Sequence, residues 1–224
     1  MRFLKNFLTE THAHTSEVSP CATCNSKELV NLMIKHGYST VFITNHLSEH
    51  TFSKANIKNW NDKIDFFLEG FELVKKVANG RINVILAMEI SFTEEANDYL
   101  VYGITESFLK DNADMTNLTI DKFYPLAKKN CLHVIQAHPF RFGSRIVNPD
   151  FLDGYEIFNG NPRHNSNNDM ASSWAKHYAK TESAGTDFHR PGDAGISGMY
   201  FENEIVTTED YIQALQCGNF IIKK

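Results

Sequence analysis

Five short segments of this chain each end in a residue able to ligate a metal: His12-Ala13-His14, His46, Glu89, His138 and Asp187-Phe188-His189. Four of them close apolar, β-branched runs, and the other ends a strand-like N-terminal segment. Imidazole nitrogens and carboxylate oxygens are the donors of Zn²⁺, Mn²⁺ and Fe²⁺ sites. Donors carried on the carboxyl ends of successive strands converge only when those strands lie side by side in a barrel or parallel sheet. The pattern therefore constrains the fold before any helix is placed.

The rest of the chain agrees with that constraint. Short β runs alternate with helical stretches, the order expected of parallel βα units. Strands are predicted at residues 7–13, 39–44, 82–88, 99–104, 132–137, 155–158 and 182–186. Helices are predicted from Ser26 as N-cap to Gly37, from Ile57 to Asn79, near 119–130, near 167–180, and from Thr208 to Gly218. A short strand-like run, Phe220-Ile221-Ile222, follows. Seven such units, with no repeat, linker or low-complexity segment, predict an α/β chain folded as a distorted (β/α)7 barrel, one domain across residues 1–224.

At 224 residues the chain is long enough for one well-buried domain and short for two. A formal net charge of −5 provides no broad attraction to nucleic acid or anionic membrane. No apolar run is long enough to span a bilayer, and Met1 to Phe7 lacks the apolar core of a secretory signal. The expected compartment is cytoplasmic. Cys131 and Cys217 sit in apolar surroundings and read as small core residues. Cys21-Ala22-Thr23-Cys24 reads first as an ordinary loop, with metal capture or a reversible disulfide as the alternatives, because no second CxxC is present.

His12 and His14, two apart on a strand, project from one face about 7 Å apart at the backbone, close enough to share an ion. Asp187 and His189 repeat the spacing, and Gly185 lets the backbone pass beneath a crowded site. Glu89 ends a largely apolar run, where an unpaired carboxylate is a poor buried group. Its two oxygens make it the natural bridge between cations. His36, His133 and His177 read as structural, whereas His50 and His164 fall in loops beside the expected mouth.

Read in order, the motifs are Thr11-His12-Ala13-His14-Thr15, Ile43-Thr44-Asn45-His46, Ala87-Met88-Glu89-Ile90-Ser91, Gln136-Ala137-His138-Pro139 and Ala184-Gly185-Thr186-Asp187-Phe188-His189. This series resembles the PHP family, the polymerase and histidinol phosphatase domains, from about residue 8 to 192. The resemblance implies a distorted seven-stranded barrel holding two or three divalent cations (Zn, Mn or Fe) and hydrolysing phosphoesters. By that resemblance one cation takes His12, His14, Glu89 and Asp187, and a second takes Glu89 and His138. A third takes His46, His189 and a loop residue, for which Glu17 is the choice. Asp98 stands where many members carry a histidine and is an alternative ligand for the second cation. Asn45 replaces the usual aspartate and is expected to tune the groups behind the ligands.

An anionic substrate also needs positive side chains. Arg141, Arg145, Arg163 and Arg190 each follow a predicted strand end and are the substrate-binding candidates, Arg141 and Arg190 foremost because they adjoin ligands. Glu89, Asp187 and His189 are the residues expected to carry catalysis. The expectation is a metal-dependent phosphomonoesterase for a small phosphorylated metabolite. Its rivals are a phosphotyrosine or nuclease-type phosphoesterase, nucleic acid being disfavoured by charge, and a metal-binding module without turnover. The sequence leaves the oligomeric state open.

Overall fold

The computed structural model describes residues 7–224, so the reading of the first six residues lies outside it. β1 (Phe7–Ala13) lies parallel to β2 (Tyr38–Ile43), with α1 (Ser26–Lys35) as the crossover. Asn25, one residue before the expected cap, starts α1: its side chain accepts from the Glu28 amide, and the Glu28 carboxylate accepts from the Asn25 amide. A two-residue strand, β3 (His46–Leu47), and a short helix, α2 (Glu49–Lys54), lead into α3 (Trp60–Ala78), which packs on α1. β4 (Asn83–Ser91) then pairs parallel with β2 and, further along, with β3.

β5 (Asp98–Tyr102) departs from the parallel expectation and runs antiparallel to both its neighbours. The segment Phe92 to Asn97 is shorter than the crossover of about a dozen residues that a parallel partner requires. α4 (Glu106–Asp111) and α5 (Ile120–Lys129) precede β6 (His133–Gln136), and β7 (Gly154–Asn159) and β8 (Thr181–Gly185) flank α6 (Asn168–His177). β9 (Gly198–Phe201), α7 (Thr208–Cys217) and β10 (Phe220–Lys223) complete the chain. The sheet order is β10-β9-β1-β2-β4-β5-β6-β7-β8, with β3 added to β4.

The segment after β8 comes back to β1. Ala13 bridges Phe188 in parallel, and Phe188 and His14 exchange amide bonds with His12 and Phe188 across the seam, each 3.0 Å. β1, β2 and β4 to β8 therefore form the distorted seven-stranded barrel, while β9 and β10 extend antiparallel from β1. Phe42, Ala87, Leu100, Tyr102, Ile135 and Ala184 fill the interior and meet Tyr211 and Leu215 of α7. Because β5 is reversed, Tyr102 lies at the far end of the barrel from Asp98. There the Tyr211 ring is 4.9 Å from Tyr102, so α7 plugs the bottom and the ligand residues crown the top.

Cys131 and Cys217, expected in the core, are both exposed. Cys131 occupies the turn after α5 with φ 58°, and Cys217 ends α7 on its outward side. Among the described residues, no helix is long and apolar enough to cross a membrane.

Candidate metal centre

The ligand-type residues meet at one end of the barrel. His12 and His14 are fully buried, with ring centroids 5.0 Å apart. Glu89 sits among the imidazoles. Its Oε1 lies 3.3 Å from His12 Nε2 and 3.2 Å from His138 Nε2, and its Oε2 lies 3.3 Å from His14 Nε2 and 3.0 Å from His46 Nδ1. Asp187 Oδ1 is 3.4 Å from His12 Nε2 and 3.5 Å from His14 Nε2. The His189 ring is 4.3 Å from that of His14.

Three donor groups resolve from these distances: His12, His14 and Asp187; Glu89, Asp98 and His138; and His14, His46 and His189. The reversal of β5 explains Asp98, since the first residue of an antiparallel strand reaches the face that the other strands reach with their last. Asp98 accepts from Ser91 and lies 3.8 Å from His138 Nε2. His138 and Asp187 both adopt positive φ, 28° and 52°, unusual for residues other than glycine and typical of functional turns.

The residues present suit cations. His12 Nε2, His14 Nε2, His138 Nδ1 and Glu89 Oε2 are buried without a hydrogen-bond partner, a state that buried polar atoms rarely tolerate. Burial works against charge here, yet Glu89, Glu156 and Asp187 hold His12 well above its ordinary value. Burial raises Glu89, but His12 and His46 overcome it and keep the carboxylate well below its usual range. His189 falls to about 3, through burial and the neighbouring His14, so it is a neutral ring suited to ligation.

Residues behind the ligands fix their aim. Glu156, fully buried, accepts from His12 Nδ1, from the His138 amide and from Asn159 Nδ2, each at 2.9 Å. That leaves His12 Nε2 to face the cluster, the carboxylate–histidine arrangement of many metal sites. Asn45 Oδ1 accepts from the Thr15 amide at 2.8 Å and from Ser19 Oγ at 3.0 Å, tying β2 to the loop after β1. Sequence reasoning missed Glu156; the available signal was a carboxylate in the middle of an otherwise apolar strand. It also missed Glu10, a buried carboxylate raised to about 7 by burial, which accepts from the His12 and Thr186 amides.

Glu17 is not in the cluster. It belongs to none of the three donor groups: its Oε1 accepts from both the amide and the hydroxyl of Ser26 at 2.7 Å, at the start of α1, while its Oε2 is buried without a hydrogen-bond partner. Cys21 faces the cluster from the same loop, with Sγ 3.1 Å from His189 Nε2. Arg145 is also elsewhere: Asn97 accepts from its amide, and its side chain lines a separate depression beside Ile120 and Phe151. Arg141 reaches the site but is engaged there, with Nη2 2.7 Å from Asp187 Oδ2 and 3.0 Å from Asn159 Oδ1. Arg163 pairs with both oxygens of Asp193, which in turn accepts from the His189 and Arg190 amides. The Arg190 side chain is exposed at the rim. His164 lines the same cavity, whereas His50 lines an adjoining one.

A barrel with imidazoles and carboxylates converging on one end has the donor set of a metal centre. A family model described as the PHP domain matches residues 10–216, and the chain belongs to that family. Among solved structures, a two-domain protein from Bacteroides vulgatus containing a predicted PHP-like metal-dependent phosphoesterase superposes with a TM-score of 0.70 at 14% identity. The match covers 97% of this chain and 64% of that one, so this chain spans just under two thirds of that protein. PsfC from Pseudomonas syringae gives 0.70 at 14% identity over 93% of this chain and 88% of its own. Endonuclease Q, solved with a 27-mer duplex carrying an abasic lesion at its active site, gives 0.68 at 15% over 95% and 57%. At such identities the likeness speaks for the fold. No curated protein matches the chain.

Proposed function

We propose that the chain hydrolyses phosphomonoesters of small metabolites using two or three divalent cations, Zn, Mn or Fe, held by His12, His14, His46, Glu89, Asp98, His138, Asp187 and His189. One observation carries the choice of substrate. The cluster floors a cavity of about 420 Å³ whose rim holds Arg141, Arg163, His164 and Arg190. A space of that size suits a small ligand, and Arg141, Arg163 and Arg190 stand among its lining.

The cations, when bound, supply Lewis-acid charge and acidify water for attack on phosphorus. The protein does the remaining work. Glu156 and the Asp187 carbonyl orient the rings of His12 and His189. Arg141 lines the cavity beside Asp187, and its guanidinium is placed to meet a phosphoryl oxygen there. Arg190 is free to fold over the mouth and bind the outer oxygens. The rival reading, cleavage of a phosphodiester in nucleic acid, is favoured by the likeness to Endonuclease Q.

The two separate cleanly in one assay. The purified protein, loaded with Mn²⁺, Zn²⁺ or Fe²⁺, is given a panel of phosphorylated metabolites, a generic aryl phosphate, a bis-aryl phosphodiester and abasic duplex DNA. Release of phosphate from monoesters, abolished by chelator, is expected. Turnover of diester or DNA alone would replace the proposal with the nuclease reading.

A further inference from the structure

The loop between β1 and α1 carries a donor that the sequence-based ligand set did not contain. We infer that the Cys21 thiolate is a ligand of the cation held by His46 and His189, in the position for which Glu17 was expected. The inference rests on the proposed cation-binding reading of this centre.

Four observations carry it. Cys21 Sγ is 3.1 Å from His189 Nε2 and within hydrogen-bond reach of the His46 side chain. Sulfur and nitrogen donors of one tetrahedral zinc lie about 3.6 Å apart, so the existing contact is close to a ligand–ligand edge. His46 and His189 already form a donor group with His14, whose Nε2 is buried, unpartnered and aimed at the same space. The loop is held in this pose: the Thr23 amide donates to the His189 carbonyl at 2.9 Å, the Ser16 amide to the Cys24 carbonyl at 2.8 Å, and Ser26 retains Glu17. Cys24 takes no part. It is buried with Leu29, Val30 and Met33, so the CxxC is not a two-thiol clasp.

The chemistry balances without a further reactant. On ligation Cys21 loses its thiol proton to solvent, and a sulfur lone pair binds the cation. A thiolate beside imidazoles makes this the softest position of the cluster. It selects Zn²⁺ or Fe²⁺ over Mn²⁺, whereas the carboxylate-rich position of Glu89, Asp98 and His138 suits harder ions. A cluster of mixed metals follows.

Cobalt substitution tests the assignment without using turnover. Protein freed of metal is titrated with Co²⁺ under a phosphine reductant, and near-ultraviolet sulfur-to-cobalt charge-transfer absorption and bound cobalt per chain are recorded. The wild type is expected to show the band. Cys21→Ser should lose it together with one cobalt per chain, and Cys21→His should regain the cobalt without the band. Cys24→Ala and Glu17→Gln should keep both. A wild type that binds cobalt fully with no band, or a band that survives in Cys21→Ser, overturns the inference and leaves the cation-binding reading standing. Loss of the cobalt in Glu17→Gln but not in Cys21→Ser returns the position to Glu17. A wild type that binds no cobalt at all fails the cation-binding reading and the inference together.

Discussion

Glu156 and Arg141 show how far each ligand depends on what stands behind it. Glu156 holds His12 by its Nδ1, so Glu156→Gln leaves volume unchanged but removes the charge that orients and enriches the ring. Cation affinity should fall by about 10–100-fold with the fold intact, measured by competition with a chromophoric chelator. Unchanged affinity would mean that His12 is aimed by β1 alone. The two foremost arginines should part company. Arg141→Ala removes an ion pair with buried Asp187 and should cost about 1.5–3 kcal/mol of stability as well as turnover. Arg190→Ala leaves Asp193 its backbone donors and should raise KM with thermal stability nearly unmoved. Equal thermal shifts in the two variants would contradict this division. The histidines and Glu89 were legible in the sequence because polar residues closing apolar strands have no other good reason to be there. Glu17 misled because spacing cannot say whether a loop carboxylate turns to a cation or to a helix start. Cys21 reads first as a loop thiol, with metal capture only an alternative, because His46 and His189 are far away in the chain.

The strand ends, as elements, set the tolerance of the site. A Cβ on Gly185 in β8 would lie 2.6 Å from His12 Cβ and 2.9 Å from both Glu10 Oε1 and the His12 amide. Gly185→Ala must therefore push β8 from β1, costing about 1–3 kcal/mol and weakening cation binding in the same variant. Calorimetry and chelator competition read both, and a variant normal in both would show that the seam has slack. His133 in β6 tests the barrel away from the cations. Burial, with a smaller push from Lys128, lowers it to about 4 against the pull of Asp153, so it stays neutral when folded. The unfolded chain takes up this proton first as pH falls below about 6.5, and stability drops until about pH 4, by about 3 kcal/mol in all. His133→Gln should flatten that part of the curve when both proteins are denatured in chelator. Parallel curves would place the acid sensitivity elsewhere. Most elements were visible as periodic runs, but the direction of β5 was not. Alternation looks the same whichever way a strand runs, and only the short Phe92–Asn97 connection gives the reversal away.

For the whole molecule, the plugged barrel and the ligand crown are parts of one design. α7 fills the bottom with Tyr211 and Leu215, so the strands are fixed where their top residues must meet. The reversed β5 brings Asp98 to that same face, completing the donor group of Glu89 and His138. The expected barrel is present because seven apolar strands in sequence have few other ways to bury both faces. The docking of β9 and β10 beside β1 was not foreseen, since a short terminal strand carries no signal of where it pairs. The central claim is that these side chains bind cations. Anomalous diffraction from crystals grown with Mn²⁺ or Zn²⁺, collected at the absorption edge of each metal, tests it most directly. Two or three anomalous peaks are expected in contact with His12, His14, Glu89, His138 and Asp187, with one of them on His46 and His189. A fully substituted crystal with no anomalous peak among these residues, or with peaks confined to the protein surface, would contradict it.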